Sequence, residues 1–370
     1  MRIPSRKRPL DAAIRSITPA SRLLVPLDGL RPMVEVGERV RAGQLIGARE
    51  DGAVRHTAWS GKVVDVNNWV VVEGGPEEPL LLRDGNVVEI AREAGLVGMG
   101  GAAFPTFRKF ELTQSASLVL INGCESEPFV TCDSAVLAEA GDKVSCGMRL
   151  AMNAVGASDG RIIADENQVG YPGGYEGLLA GRVLGVNLGI HQRPSDLGVL
   201  VINVQTAHAL CVAVCQRRPL LERVVTVDGE AVGRPGNYRV AIGTPVAHLL
   251  AAAEVDLVRA ATVLIGGSMM GRRADLHEPI GPGCIAVLAL SREQTQGTIA
   301  PEEPCLRCGR CEEVCPFALS ACLLIESPDE TIQRCVECGA CQFACPSHRP
   351  LVGLLHEERQ RLRGLSGGPS

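Results

Sequence analysis

The sequence predicts a chain of several structural units that mixes α/β and α+β architecture. Three patterns predict it. Short alternating strands broken by glycine turns run to about Val72. Apolar strand-like runs then alternate with helical periodicity from about Val87 to Arg218. Beyond Pro301, cysteines recur in a duplicated spacing. At 370 residues the chain has length for two to four domains.

Composition narrows the class. Hydrophobic residues make up 46%, enough for a sizeable core, and aromatics at 3% leave that core to Val, Leu, Ala and Ile. Gly accounts for 42 residues, above the usual ~7%, which implies many tight turns or backbone lying close against ligands. A net charge of −5 argues against a nucleic-acid partner, and the basic stretch from Arg2 to Arg8 is too short to alter that. The start lacks the charged, apolar and small-residue order of a secretory signal. No run of eighteen apolar residues occurs. The nearest approach, Leu197 to Val214, contains Asn203, Gln205, Thr206 and His208 and reads as a buried strand followed by a helix. The expectation is a soluble chain, or one that docks onto a membrane partner. Of 15 cysteines, nine lie between Cys305 and Cys345, which favours metal ligation over a disulfide framework.

The first unit, expected over 1–75, contains Val34–Gly47 and Thr57–Val66, short strands separated by Gly turns. The pattern is similar to the barrel-sandwich domains that carry biotin or lipoate. Those present a modified Lys at a hairpin tip, whereas Lys62 sits inside the strand pattern. A structural or docking role follows. The second unit, expected over 86–218, has strand-like runs at Ser117–Ile121, Arg161–Ala164 and Gly198–Asn203. Helical patterns at Lys143–Val155 and Thr206–Gln216 lie between and after them. Such alternation implies a parallel, Rossmann-like sheet with ligands beyond the carboxyl ends of its strands. The third unit, over 221–276, places strands at Arg223–Val227 and Tyr238–Ile242. A helix opens at Thr244-Pro245 and runs through Ala253, with Pro at its first position. This resembles a small β-grasp module.

The fourth unit, over 295–355, carries Cys305, Cys308, Cys311 and Cys315-Pro, then Cys335, Cys338, Cys341 and Cys345-Pro, with identical internal spacing. Three closely spaced thiolates grip one face of an iron–sulfur cubane, and the Cys before Pro reaches the other cluster. One [4Fe–4S] cluster is therefore assigned to Cys305, Cys308, Cys311 and Cys345, and a second to Cys335, Cys338, Cys341 and Cys315. Zinc ribbons are the alternative, but they use paired C-x-x-C knuckles and need neither the third Cys nor Cys-Pro. Cys322 lies outside the motif and reads as a small buried hydrophobe. Two clusters with crossed ligands would carry single electrons.

Upstream, Gly98, Gly100 and Gly101 could let backbone N–H groups press against a phosphate or ring, with Lys109 neutralising charge. A plain turn between helices is the alternative. The segment Asn122 to Asp133 sets Glu125, Glu127 and Asp133 just past a strand. They would either ligand something or line a solvated loop.

These segments resemble the flavin- and NADH-binding loops of the NADH-oxidising flavin subunit of respiratory complex I. Asn122, Glu125, Ser126, Glu127 and Pro128 match its second loop, with Cys124 where Asp is usual, and Asn203–Thr206 resembles its third. The chain as a whole is similar to the C subunit of Rnf-type (Rsx) electron-transport complexes. The likeness extends through Tyr171–Glu176, Arg234–Tyr238, Gly266–Gly271 and the paired cysteine motif, in order. Ser126 stands where that family usually has Cys, and Tyr175 where a small residue is usual. The resemblance implies FMN that takes a hydride from NADH and passes single electrons through two [4Fe–4S] clusters. Electrons would leave to other subunits of a membrane complex. In such complexes the flow drives ion movement or reduces ferredoxin, and runs in either direction. The implied place is the cytoplasmic face of the inner membrane, held peripherally. It implies that Phe104 stacks near the nicotinamide, Lys109 holds the FMN phosphate, and Glu127 and Glu176 contact the dinucleotide. Gly98, Gly100, Gly101, Asn122, Glu125, Ser126, Asn203 and Thr206 would complete the cofactor site. A soluble flavin reductase of the cobalamin-reductase type and a non-catalytic electron-transfer module are the competing readings.

Overall fold

A computed structural model describes residues 13–113, 115–125, 127–164, 170–186, 192–294 and 302–366. Its strands begin with β1 (Ile14–Ser16), followed by β2 (Arg22–Pro26), β3 (Arg31–Pro32), β4 (Arg39–Val40), β5 (Leu45–Ala48), β6 (Val54–His56), β7 (Trp59–Val66) and β8 (Trp69–Pro76). Two antiparallel sheets, β2-β8-β7-β4 and β3-β5-β6, face a shared core of Leu23, Val25, Ile46, Trp59, Val63, Val70 and Val72. Alternation along β2 and β7 aims one set of side chains inward, the period-two signature of a strand. Lys62 lies within β7, paired with Glu73 of β8.

The central part contains α1 (Val87–Glu93), α2 (Thr106–Leu112), β9 (Leu118–Asn122), α3 (Cys132–Val155), β10 (Asp159–Ile163), α4 (Glu176–Leu184), β11 (Val199–Asn203) and α5 (Val204–Gln216). The three strands form a parallel sheet in the order β10-β9-β11, with Asn122 level with both Ile163 and Asn203. β9 and β11 are apolar on both faces because helices cover both. Leu118, Leu120, Val199 and Val201 pack against Ala180 of α4. Val119, Ile121, Leu200 and Ile202 join the larger core with α3 and α5. The carboxyl ends of all three strands therefore share one edge.

Next come β12 (Glu222–Asp228), β13 (Gly236–Ala241), α6 (Val246–Ala252), β14 (Thr262–Ile265), β15 (Arg272–Arg273) and β16 (Ala286–Leu290). They build one six-stranded sheet, β1-β13-β12-β16-β14-β15. Two strand pairings cross the expected boundaries. β1 leaves the first unit and pairs in parallel with β13, Ile14 opposite Asn237. The sheet also continues past Leu276 to Leu290, because the wholly buried β16 fills the place between β12 and β14. Pro245 caps α6 and lies just before its first residue.

The last part holds α7 (Arg310–Glu313), α8 (Ala321–Glu326), α9 (Ala340–Ala344) and α10 (Leu351–Ser366). Its small core is Leu319, Ala321, Leu324, Ile332, Leu351 and Leu355. Among the described residues no helix is long and apolar enough to cross a membrane.

Candidate functional site

The duplicated cysteine sequence folds as a duplicated backbone. Arg307 and Glu337, each two residues after the first Cys of a motif, adopt φ of 51° and 53°. Their N–H groups each donate to the sulfur of that first Cys, Cys305 or Cys335, at 3.4 Å. Gly309 and Gly339 follow at φ 76° and 78° and start α7 and α9. Ala318 and His348, after the two Cys-Pro steps, share φ 51°.

Cys315, Cys335, Cys338 and Cys341 line one recess, walled by Phe317, Val352 and Leu355. Sequence spacing groups the same four. In the other set, Cys308 is exposed, Cys311 is buried beside Cys322, and Cys305 lies near Arg349. Cys345 packs in the same apolar cluster as Cys311 and Cys315. Burial pushes the Cys341 thiol up to about 12 and the Cys338 thiol up to about 11. Metal binding there has to displace those protons. Among the described residues, the sulfur trio that could grip a single ion lies outside the motif. No three motif sulfurs, among the described residues, lie within 4.8 Å of one another.

A second centre forms at the carboxyl edge of the parallel sheet. The glycine loop joins α1 to α2 and is tied to the first turn of α5. Met99 N–H donates to Thr206 Oγ1 at 2.9 Å, and that hydroxyl donates to the Val97 carbonyl at 3.3 Å. Asn203 caps α5, its Oδ1 accepting from Gln205 N–H at 2.8 Å, and its amide donates to Asp133. Gln205 Nε2 reaches the other Asp133 oxygen at 2.9 Å. Gly100 lies against the Asn203 side chain. Gly101 has φ 122° and open space on the side where a Cβ would stand. Phe104 is 40% exposed beside this loop.

The remaining candidates spread outward. Lys109 of α2 donates to the Val201 carbonyl at 3.0 Å and pairs with Glu176, the first residue of α4. Asn122 accepts from Cys124 N–H at 3.0 Å and donates to the Gly174 carbonyl at 2.8 Å. The buried Glu125 carboxylate accepts from Asp133 N–H at 2.6 Å and Ser134 N–H at 3.0 Å, so it anchors the start of α3. Ser126 lies outside the described residues. Glu127 is buried beneath the 266–271 loop, where its Oε1 accepts from Met269 N–H at 2.8 Å and Met270 N–H at 3.3 Å. The structure thus joins Gly98, Gly100, Gly101, Asn203 and Thr206 around one loop and pairs Lys109 with Glu176. Glu125 and the Oε1 of Glu127 accept from protein backbone, while Glu127 Oε2 is buried without a hydrogen-bond partner among the described residues.

Three further side chains organise these centres; of them the sequence singles out Asp133 alone, as one of three acidic candidates just past a strand. Asp133 and Gln205 hold Asn203. Tyr171 donates its hydroxyl to the Cys338 carbonyl, and with Met269 it packs against Cys338 and Phe343. Polar residues at the start of α3 and α5 are the only local hint of the first two. Nothing local marks Tyr171.

Residues 91–169 match the family described as the Nuo51 FMN-binding domain, and residues 224–273 match the SLBB domain. Residues 2–84 match the RnfC barrel sandwich hybrid domain. The C subunit of an ion-translocating oxidoreductase complex from Rhodobacter capsulatus is 32% identical, over 78% of this chain and 65% of its own length. A namesake from Pseudomonas aeruginosa is also 32% identical, over 85% and 48%. This chain therefore spans less than two thirds of either relative. The C subunit of a proton-translocating ferredoxin:NAD(+) oxidoreductase complex from Clostridium ljungdahlii is 30% identical over 79% of this chain and 74% of its own length. The fold is shared with an NAD+-reducing [NiFe]-hydrogenase crystal structure in the H2-reduced state, at TM-score 0.53 and 16% identity, covering 77% of this chain and 66% of that one. With domains in this order and identity sustained along most of a relative's length, the chain belongs to the RnfC family of ion-translocating oxidoreductase C subunits.

Proposed function

We propose that this chain is the component through which an Rnf-type complex exchanges electrons with NAD(H), using FMN and two [4Fe–4S] clusters. The observation that carries the reading is the meeting of the two candidate centres. Tyr171 from the α/β part donates to Cys338, and the 266–271 loop that rests on Glu127 packs against the same motif. In this reading the chain works as four units, 1–75, 86–218, 221–276 extended to Leu290, and 295–355.

The residues fit a flavin mononucleotide. Gly101 leaves its backbone bare, and Lys109 supplies positive charge at the same edge of the sheet. The N-terminus of α5 faces the loop and favours an anion. When bound, flavin divides a hydride's two electrons into single ones that clusters accept. Gly98, Gly100 and Gly101 would bring N–H groups to the ligand, Asn203 and Thr206 would fix the loop, and Phe104 would stack near the nicotinamide. Lys109 is held by Glu176 and would meet the phosphate, and Asn122 and Ser126 are further candidate cofactor contacts. Glu125 and Glu127 would act by fixing α3 and the 268–270 backbone. Cys305, Cys308, Cys311 and Cys345 would hold one cluster, and Cys335, Cys338, Cys341 and Cys315 the other. The partners are other subunits of the complex at the cytoplasmic face of the membrane, with ferredoxin reached through them.

Anaerobically purified full-length chain, loaded with FMN, tests this. About eight iron and eight sulfide per chain are expected, together with NADH-dependent reduction of an artificial dye. Zinc with little iron would refute the clusters. Flavin-loaded protein that fails to reduce dye with NADH would favour a non-catalytic electron-transfer module.

A further inference from the structure

We propose that Cys146, Cys211 and Cys215 form a binding site for one soft divalent cation of the zinc class, clamping α3 to α5. None of the three belongs to the duplicated motif, and none serves the flavin reading. Their sulfurs all lie within 4.8 Å of one another. Cys211 and Cys215 are four apart on α5 and so share one helical face. Cys146 comes from the facing side of α3.

The approach is built into the helix pair. Gly147 sits where α3 crosses α5, and a Cβ there would overlap the Ala207 carbonyl. Ala207 is one turn before Cys211, and Gly147 directly follows Cys146. The close crossing therefore delivers the three sulfurs to one point. A tetrahedral ion with Zn–S bonds of about 2.3 Å keeps its sulfurs about 3.8 Å apart. Cys146 Sγ and Cys215 Sγ stand 3.8 Å apart.

The donor set is three thiols, which select a soft or borderline ion over magnesium or calcium. Cys211 is buried and Cys215 is exposed, so the site is closed on one side and open to solvent on the other. Binding forms three S–metal bonds and releases up to three thiol protons, and a water takes the fourth position. No electron moves. The clamp would join the two helices at whose N-terminal ends Asp133 and the capping Asn203 stand.

The test uses the full-length, cluster-containing protein under anaerobic conditions. Excess Zn2+ is added and removed by desalting, and iron and zinc are measured together. Wild type should retain about one zinc more per chain than Cys146→Ser or Cys215→Ser, with iron equal in all three. Co2+ should give an intense sulfur-to-metal charge-transfer band in wild type only, and Zn2+ should raise Tm in wild type only. Because Cys215 is exposed, its Ser variant should fold even if Cys146→Ser does not. Equal zinc in wild type and Cys215→Ser would overturn the proposal. So would a Cys146–Cys215 disulfide found by mass mapping of the anaerobic protein.

Discussion

Burial pushes the Glu127 carboxyl from its ordinary 4.5 up to about 7, against the opposing pull of the Met269, Met270 and Ser268 N–H groups. The folded chain thus holds this proton more tightly than the unfolded chain does. The stability it contributes is complete below about pH 4.5 and is lost as pH rises through about 7, on the order of 3 kcal/mol. Glu127→Gln does not titrate. Its urea midpoint should therefore change less between pH 5 and 8 than that of wild type, and an unchanged slope would mean the carboxyl is solvated. At Gly101, φ of 122° excludes a β-branched side chain without strain of about 1–3 kcal/mol. Gly101→Val should weaken FMN binding by about tenfold or more at unchanged iron content. A flavin fluorescence titration reads this, and wild-type affinity would show that the loop is not the cradle.

Two elements, α3 and α5, fix the geometry of the sheet edge. α3 begins at Cys132, well before the periodic stretch from Lys143, and it kinks at Ala140. The early turns form because Glu125 accepts from their free N–H groups, a contact that periodicity cannot reveal. Gly147→Ala should force the helices apart at Ala207, at a cost of about 1–3 kcal/mol. A lowered Tm with weakened flavin binding is expected, and a variant as stable as wild type would show that the crossing relaxes freely. In the cysteine region, the matched φ values show that the two motifs share one backbone conformation. Cys308→Ser should remove about half of the iron and leave the recess of Cys315, Cys335, Cys338 and Cys341 occupied. Iron and sulfide analysis with EPR of the reduced protein checks this. Loss of all iron would mean that the two halves fold only together.

Across the whole molecule, the flavin-side and cysteine-side parts meet at Tyr171, Met269 and Cys338. Tyr171→Phe removes one hydrogen bond, a loss of about 1 kcal/mol from that junction. NADH–dye turnover, which bypasses the clusters, should be unchanged, while reduction of the clusters by NADH should slow severalfold. Stopped-flow absorbance separates the two steps. Equal cluster reduction in both proteins would show that the junction does not govern electron passage.

The sequence by itself determined what depends on near neighbours in the chain. β9 and β11 read as apolar runs because both faces are covered, α5 reads from its period, and the cysteine spacing pairs the motifs. Tertiary structure alone decided the partners of distant segments. It moved β1 beside β13 and set β16 between β12 and β14. It placed Glu127, a candidate dinucleotide contact, beneath the 266–271 loop, and it gathered Cys146, Cys211 and Cys215. These outcomes follow from burial and close packing between residues far apart in sequence, and local propensity carries no record of which distant surface will cover a side chain.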